Sequence, residues 1–279
     1  MKRIGPMAFP DALMKLFADL TPRYIGRSHD KRNDKIKSDG TPVGNLDLYA
    51  MEKIRELIFE YFPGEVTIGE EDKKSAEQMR KLLSDKDGCQ WTIDGLDGTG
   101  NRGMGTNSFG AMISRRQGEK ILLAALYRPT DERLRGNGFF YAESNHMRAR
   151  LWCGLCNGYH SLRTAQHGEL ERITVMLEGS SKKFFKPPLS TLGLEITTRC
   201  SFSSCIAATT VAMGKASALV TVENKPWDNW PSACLIKEAG GIVTDWQGNP
   251  FDPANCGNMI AAANPGDHAV ILEILNRKI

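Results

Sequence analysis

Acidic residues gather at four places in the 279-residue chain: Asp47, Glu70-Glu71, Asp94 with Asp97, and Asp228 after Trp227. Glu70-Glu71 follows Val66-Thr67-Ile68, and Asp94 follows Trp91-Thr92-Ile93, both short runs that read as strands. Carboxylates delivered to neighbouring strand ends converge, and binding sites of open α/β sheets form there. Converging carboxylates repel one another and need cations. Oxygen ligands without histidine or cysteine select magnesium, manganese or calcium over zinc. The run Asp94-Gly95-Leu96-Asp97-Gly98-Thr99-Gly100 adds a second element. Two aspartates three apart on a tight turn can hold a pair of metal ions, and the Leu96 carbonyl can point inward as a further ligand. Gly98 lets an anion approach the backbone, and successive N–H groups at a turn suit a phosphate. Metal ions beside an anion cradle describe phosphoryl transfer to water, one ion at the attacking oxygen and one at the leaving oxygen.

These groups need elements to carry them. Leu13, Met14, Phe17 and Leu20 make the apolar stripe of a first helix; Met51, Ile54, Leu57, Ile58 and Tyr61 make that of a second, opened by Asp47 and stopped by Pro63-Gly64. Between them the basic stretch Arg23–Lys37 reads as an exposed loop or flap. Two hairpins follow the aspartate run: 109–115 with 121–127 around Gln117-Gly118, and 138–142 with 147–152 around Ser144-Asn145. Residues 153–168 read as irregular. The last third alternates: strand 173–177, helix 203–213, strand 218–222, helix 231–239 ending at Gly240-Gly241, strands 242–245 and 259–263, helix 265–276. Such alternation predicts an α/β sheet covered by helices. The polar stretch around Asp85 lies outside every motif.

Composition excludes several classes. Apolar residues are 41% and charged residues 25%, as in an ordinary globule and unlike a disordered chain. The net charge of +3 is too slight to imply a nucleic-acid partner, and Tyr24 alone does not interleave aromatics with the basic stretch. No apolar run is long enough to span a membrane. Met1-Lys2-Arg3 opens like a signal peptide, but Pro6, Pro10, Asp11 and Lys15 interrupt any apolar core, so the seven cysteines read as reduced thiols of a cytoplasmic protein. Cys153 and Cys156 with His160 offer three ligands where structural zinc needs four.

Trp91-Thr92-Ile93-Asp94-Gly95-Leu96-Asp97-Gly98-Thr99 resembles the W-x-I-D-P-[IL]-D-G-T signature of the inositol monophosphatase superfamily. Gly69-Glu70-Glu71 is similar to its upstream G-E-E, and Trp227-Asp228 with Glu238-Ala239-Gly240-Gly241 to its W-D and E-A-G-G. Lys37-Ser38-Asp39 through Asp47 is similar to the stretch before its second helix. The resemblance implies a layered α-β-α-β-α sandwich, an α+β or α/β fold, with residues 1–155 carrying most metal ligands and 156–279 carrying Asp228 and the substrate-pocket helix. It implies a magnesium-dependent phosphomonoesterase using two or three ions, manganese being a substitute. Glu70, Asp94, the Leu96 carbonyl, Asp97 and Asp228 would be the metal ligands. Thr99, oriented by Asp47, would activate water, and Glu71 would hold water in the outer shell. Backbone groups of Gly98, Thr99 and Gly100 would take phosphate; Arg199 and Ser203 would line the substrate pocket. The implied assembly is a cytoplasmic homodimer acting on a small phosphomonoester, with neither nucleic acid nor membrane as partner.

Three positions depart from that pattern. Gly95 replaces the usual proline, which is expected to loosen the turn. Phe202 stands where glycine is usual at the pocket wall. Thr221, seven residues before Asp228, replaces the acid with which inositol-preferring members grip ring hydroxyls, and Glu223 is the nearest substitute. The substrate therefore stays open among inositol, histidinol, fructose and phosphoadenosine phosphates. A haloacid-dehalogenase-type phosphatase needs aspartates two apart rather than three. A catalytically silent metal-binding homologue is the non-enzyme alternative.

Overall fold

A computed structural model describes residues 8–26, 35–36, 42–43, 45–72, 74–85, 87–131, 136–144 and 149–277. Two helices open the chain, α1 (Ala8–Ile25) and α2 (Asn45–Tyr61), with the short strands β1 (Lys35–Ile36) and β2 (Pro42–Val43) paired between them. Arg23 therefore lies in the last turn of α1 rather than opening a loop; Arg27, Lys31, Arg32 and Lys37–Asp39 lie outside the described residues.

A seven-stranded sheet follows, built in order from β3 (Val66–Gly69), β4 (Cys89–Asp97), β5 (Gly110–Gln117), β6 (Lys120–Asp131), β7 (Gly136–Glu143), β8 (Arg150–Cys153) and β9 (Gly158–Ser161). Only the β3–β4 pair is parallel. The stretch expected to be irregular thus contains an edge strand. Its Gly-Tyr-His-Ser sequence has no apolar alternation because three of its four residues are exposed. A further helix, α3 (Ala76–Ser84), carries only the short stripe Met79, Leu82 and Leu83, half-buried while its polar residues face solvent. Its capping box is nevertheless written in the sequence: Ser75 Oγ accepts from Gln78 N, and Gln78 Oε1 from Ser75 N.

The second sheet has the order β11-β10-β12-β14-β13, from β10 (Thr174–Gly179), β11 (Thr197–Arg199), β12 (Ala218–Val222), β13 (Ile242–Thr244) and β14 (Met259–Ala262). Helices α5 (Ser181–Phe184) and α6 (Leu189–Glu195) link β10 to β11; α7 (Ser204–Ala212), α8 (Pro226–Glu238) and α9 (Pro265–Asn276) follow, and α4 (Thr99–Gly103) is a single turn after β4. Helix α8 starts five residues before the expected Pro231. Two prolines compete for the first helical position, and Pro226 takes it, with Pro231 accommodated inside.

Period-two alternation along the strands sorts the layers. From β5, Ala111 and Ile113 join Phe9, Leu13, Phe17, Ile54 and Ile58 of α1 and α2, while Met112 joins Ala207, Val211, Ala233 and Leu235 of α7 and α8. From β12, Leu219 faces that same central layer, and Val220 packs with Leu192 of α6 and Ile271 of α9. The result is α-β-α-β-α, as the resemblance implied. Phe9 anchors the first interface, with Tyr61, Phe62 and Trp91 ring centroids 5.1–5.4 Å away; edge contacts of this kind add about 0.5–1.5 kcal/mol each beyond area burial. Among the described residues no helix is long and apolar enough to cross a membrane.

Candidate active site

Strand β4 does not stop before the aspartates but runs through them. Asp94 pairs with Met112 and Asp97 with Gly110, so three steps on β4 match two on β5. In a regular strand, residues three apart point to opposite faces. The extra residue of this bulge returns both carboxylates to one side. The tight turn expected at 94–97 is therefore a bulge within a strand, and it does the same work of converging two acids.

Around that bulge the carboxylates meet. Ligand oxygens of Asp47, Glu70 and Asp94 lie within 4.8 Å of one another, as do those of Asp94, Asp97 and Asp228. Asp94 belongs to both groups. Asp47 comes from the first turn of α2, Glu70 from the end of β3, and Asp228 from the first turn of α8. Burial pushes the Asp94 carboxyl well above the ordinary range, and the charges of Glu70, Asp97, Asp47 and Asp228 push it further. Asp228 is raised by burial and then by Asp97 and Glu70. Asp97 is raised to about 6 by burial, against hydrogen bonds from Ser203, Cys205 N and Ser204 N. Buried carboxylates this close cannot all carry charge without cations, so an all-oxygen donor set fits hard divalent ions.

Two backbone features hold the bulge in place. A Cβ added at Gly95 would lie 2.6 Å from the Asp47 carbonyl oxygen and 2.8 Å from its Oδ1. Gly95 thus brings α2 against β4; its missing side chain sets a close approach instead of loosening a turn. The Gly95 carbonyl accepts from Tyr24 Oη at 2.7 Å, tying α1 to the same point. Leu96 N donates to Asp94 Oδ1 at 2.9 Å, and the Leu96 carbonyl accepts from Thr99 Oγ1 at 2.8 Å. Gly98 has φ 80°, a left-handed conformation that glycine adopts without strain, and caps α4.

The central helix α7 closes the other side. Ser203 Oγ donates to Asp97, Ser204 N and Cys205 N donate to it at 3.1 and 2.9 Å, and Ser203 also caps α7 through Ile206 N. Arg199 ends β11 in an exposed position, Gly100 is exposed, and Glu71 follows Glu70 half-buried. Thr221 is buried on β12, and Glu223 is exposed and paired with Lys183 at 3.2 Å. Cys156 Sγ lies 3.0 Å from His160 Nε2, and all seven cysteines are free thiols. The open concavities lined by Glu171–Ile173 with Glu195–Thr197, and by Gly105–Ser108 with Arg128–Asp131, hold none of the clustered carboxylates.

Two residues of this neighbourhood were not singled out from the sequence. Glu178, on β10 in register with Thr221, is buried and accepts from Ser201 N at 2.9 Å and Ser201 Oγ at 2.5 Å. Burial raises its carboxyl to about 7. An acid directly after the apolar run Val175–Leu177 is the available signal. Asn101 donates to the carbonyls of Ser108 and Ser201 at 2.6 and 2.7 Å, and nothing in its local sequence marks it.

A layered sandwich with clustered acids beside a glycine-bearing turn fits a metal-dependent hydrolase of phosphate esters. Residues 12–279 match the model of the inositol monophosphatase family, and the chain belongs to that family. It is 26% identical over 258 residues to the fructose-1,6-bisphosphatase/inositol-1-monophosphatase of Aquifex aeolicus, covering 88% of this chain and 86% of that one. It is likewise 26% identical to inositol monophosphatase 2 of Homo sapiens, over 88% and 82%, and 27% identical to Nus factor SuhB of Pasteurella multocida, over 91% and 89%. The solved IMPase of Thermotoga maritima superposes with a TM-score of 0.75 at 24% identity, over 95% of this chain and 96% of that one. The chain is accordingly a phosphoric monoester hydrolase.

Proposed function

We propose that the enzyme hydrolyses a small polyol, sugar or amino-alcohol phosphate with magnesium as its cofactor, two or three ions serving and manganese substituting. The carrying observation is the double grouping of carboxylates with Asp94 shared between both. Glu70, Asp94, Asp97, Asp228 and the Leu96 carbonyl would hold the ions. Divalent ions there supply positive charge beside a water and beside the leaving oxygen, which lowers the water's pKa and neutralises the departing alkoxide. A solved relative of 18% identity is described as an IMPase/NADP phosphatase complexed with Mg2+ and phosphate.

The chain's own groups do the rest. Thr99 Oγ1 donates its hydrogen bond to the Leu96 carbonyl, so its lone pairs remain as acceptors to orient a water for attack. Asp47 sets the approach of α2 to that turn, and Glu71 retains water beside the ions. N–H groups of Gly98, Thr99 and Gly100 hold the phosphate oxygens. Arg199 and Ser203 line the alcohol's side, Ser203 also fixing Asp97. The same reading makes the protein a cytoplasmic homodimer with a small-molecule partner.

Phosphate release from a panel of phosphomonoesters tests it. Turnover with magnesium and its loss in excess chelator are expected, because monoester hydrolysis asks an enzyme for on the order of 20 kcal/mol. Full turnover in chelator overturns the metal chemistry.

A further inference from the structure

One residue at the rim of this site takes no part in holding ions or phosphate. Phe202 has φ 53°, in the left-handed region that non-glycine residues seldom adopt, and its side chain is 59% exposed. A glycine would take that conformation freely and leave no apolar ring in water. The strained backbone is nevertheless fastened on both sides. Asn101 Nδ2 donates to the Phe202 carbonyl at 3.3 Å and to the Ser201 carbonyl at 2.7 Å, and the buried Glu178 accepts both the N–H and the hydroxyl of Ser201. Ser203, the next residue, donates to Asp97, and its Cβ lies 3.2 Å from where a Gly98 Cβ would stand. Phe202 is thus adjacent in the chain to the residue that binds Asp97 and approaches Gly98.

Side chains that could grip a polyol in this part of the fold are buried or already paired. Thr221 replaces an acid and its hydroxyl is buried; Glu178 beside it is engaged by Ser201, and Glu223 by Lys183. We propose that Phe202 determines substrate choice, its ring stacking on a planar aromatic or heteroaromatic ring carried by the alcohol half of the phosphomonoester. This rests on the phosphatase reading above. A phosphate held at Gly98–Gly100 would leave its ester substituent within reach of Phe202, and an exposed ring on a fastened backbone favours a flat apolar partner over hydrated hydroxyls.

The test compares 2-phenylethyl phosphate and adenosine 5′-monophosphate with glycerol 2-phosphate and inositol 1-phosphate, all esters of aliphatic alcohols. Wild type should favour the two ring-bearing esters. Phe202→Gly relieves the strained φ, so the variant should melt no lower than wild type. It should raise KM for the ring-bearing esters about tenfold, ~1.4 kcal/mol, with kcat little changed and the two polyol esters unaffected or improved. Phe202→Tyr should keep the preference. Equal treatment of all four esters by wild type, or an equal loss on all four in Phe202→Gly, overturns the platform while leaving the phosphatase intact. A change of mass in solution on Phe202→Gly assigns the ring to a subunit interface and overturns it too. Hydrolysis of none of the four with magnesium present overturns the phosphatase reading itself.

Discussion

At the scale of single residues, Asp94 concentrates the conflict that the site must resolve. Buried and surrounded by Glu70, Asp97, Asp47 and Asp228, its charge is unfavourable until cations neutralise the cluster. Asp94→Asn keeps the shape and removes one repelling charge. In chelator the variant should therefore melt at or above the wild-type temperature. Magnesium should no longer raise its melting temperature as it does for wild type, and kcat/KM should fall by about a thousandfold or more, ~4 kcal/mol of transition-state stabilisation. A magnesium-induced shift of wild-type size in Asp94→Asn rules it out as a shared ligand. Asp85→Asn is a poor control for this experiment, although its sequence surroundings look featureless: Asp85 Oδ1 accepts from the N–H groups of Asp87 and Gly88 at 3.0 and 3.1 Å, forming the turn after α3.

At the scale of elements, the parallel pair β3–β4 must hold Glu70 beside Asp94, and Glu65 anchors its start. Glu65 accepts from Trp91 Nε1 at 2.6 Å on β4 and from Arg115 on β5, Nε at 2.8 Å, so one side chain joins three neighbouring segments. Burial pushes its carboxyl up, but the hydrogen bonds from Arg115 and Trp91 outweigh that and leave it below the ordinary range. A depressed pKa in the folded state means that stability from this group is present above the unfolded value, about 4.3 for glutamate. That stability is lost as pH falls through the lower folded value. Glu65→Gln should accordingly lower the melting temperature at neutral pH and flatten its decline between neutral and acidic pH. Melting curves of the two proteins that stay parallel down to acidic pH would show that the Glu65 charge contributes nothing.

For the whole molecule, the acidic cluster proposed to take ions is where separately built layers meet. Asp94 and Asp97 belong to the seven-stranded sheet, Asp47 to the outer helix α2, and Asp228 to α8 between the sheets. Binding to the folded state alone stabilises it by about 2.7 kcal/mol at a hundredfold excess over Kd. At this chain length each kcal/mol moves the transition by roughly 2–4 °C. Magnesium should therefore raise the melting temperature by several degrees and continue to raise it with the logarithm of concentration, and manganese should do the same. A melting temperature indifferent to both ions, from chelator to saturating metal, contradicts a site assembled from three layers of the fold.

How much of this was legible beforehand depends on the range over which each feature is set. Helix stripes such as Met51–Tyr61, the hairpin at Gln117-Gly118 and the acids themselves follow from local periodicity and residue chemistry, so cation-binding acids and a sheet covered by helices could be read from the residues, whereas the five-layer order was implied only by the family resemblance. Features decided by neighbours could not be read so. Whether the three-residue step from Asp94 to Asp97 makes a turn or a bulge depends on the pairing with Gly110–Met112. Whether Gly95 loosens the chain or seats a helix depends on the Asp47 carbonyl arriving from α2. The edge strand β9 is polar because it pairs on one side only, and α8 begins at Pro226 because tertiary packing chose between two equally suitable prolines. The strained Phe202 is the same case: its identity is plain in the sequence, but its φ is set by Asn101 and Glu178, 101 and 24 residues away, which only the folded chain brings to it.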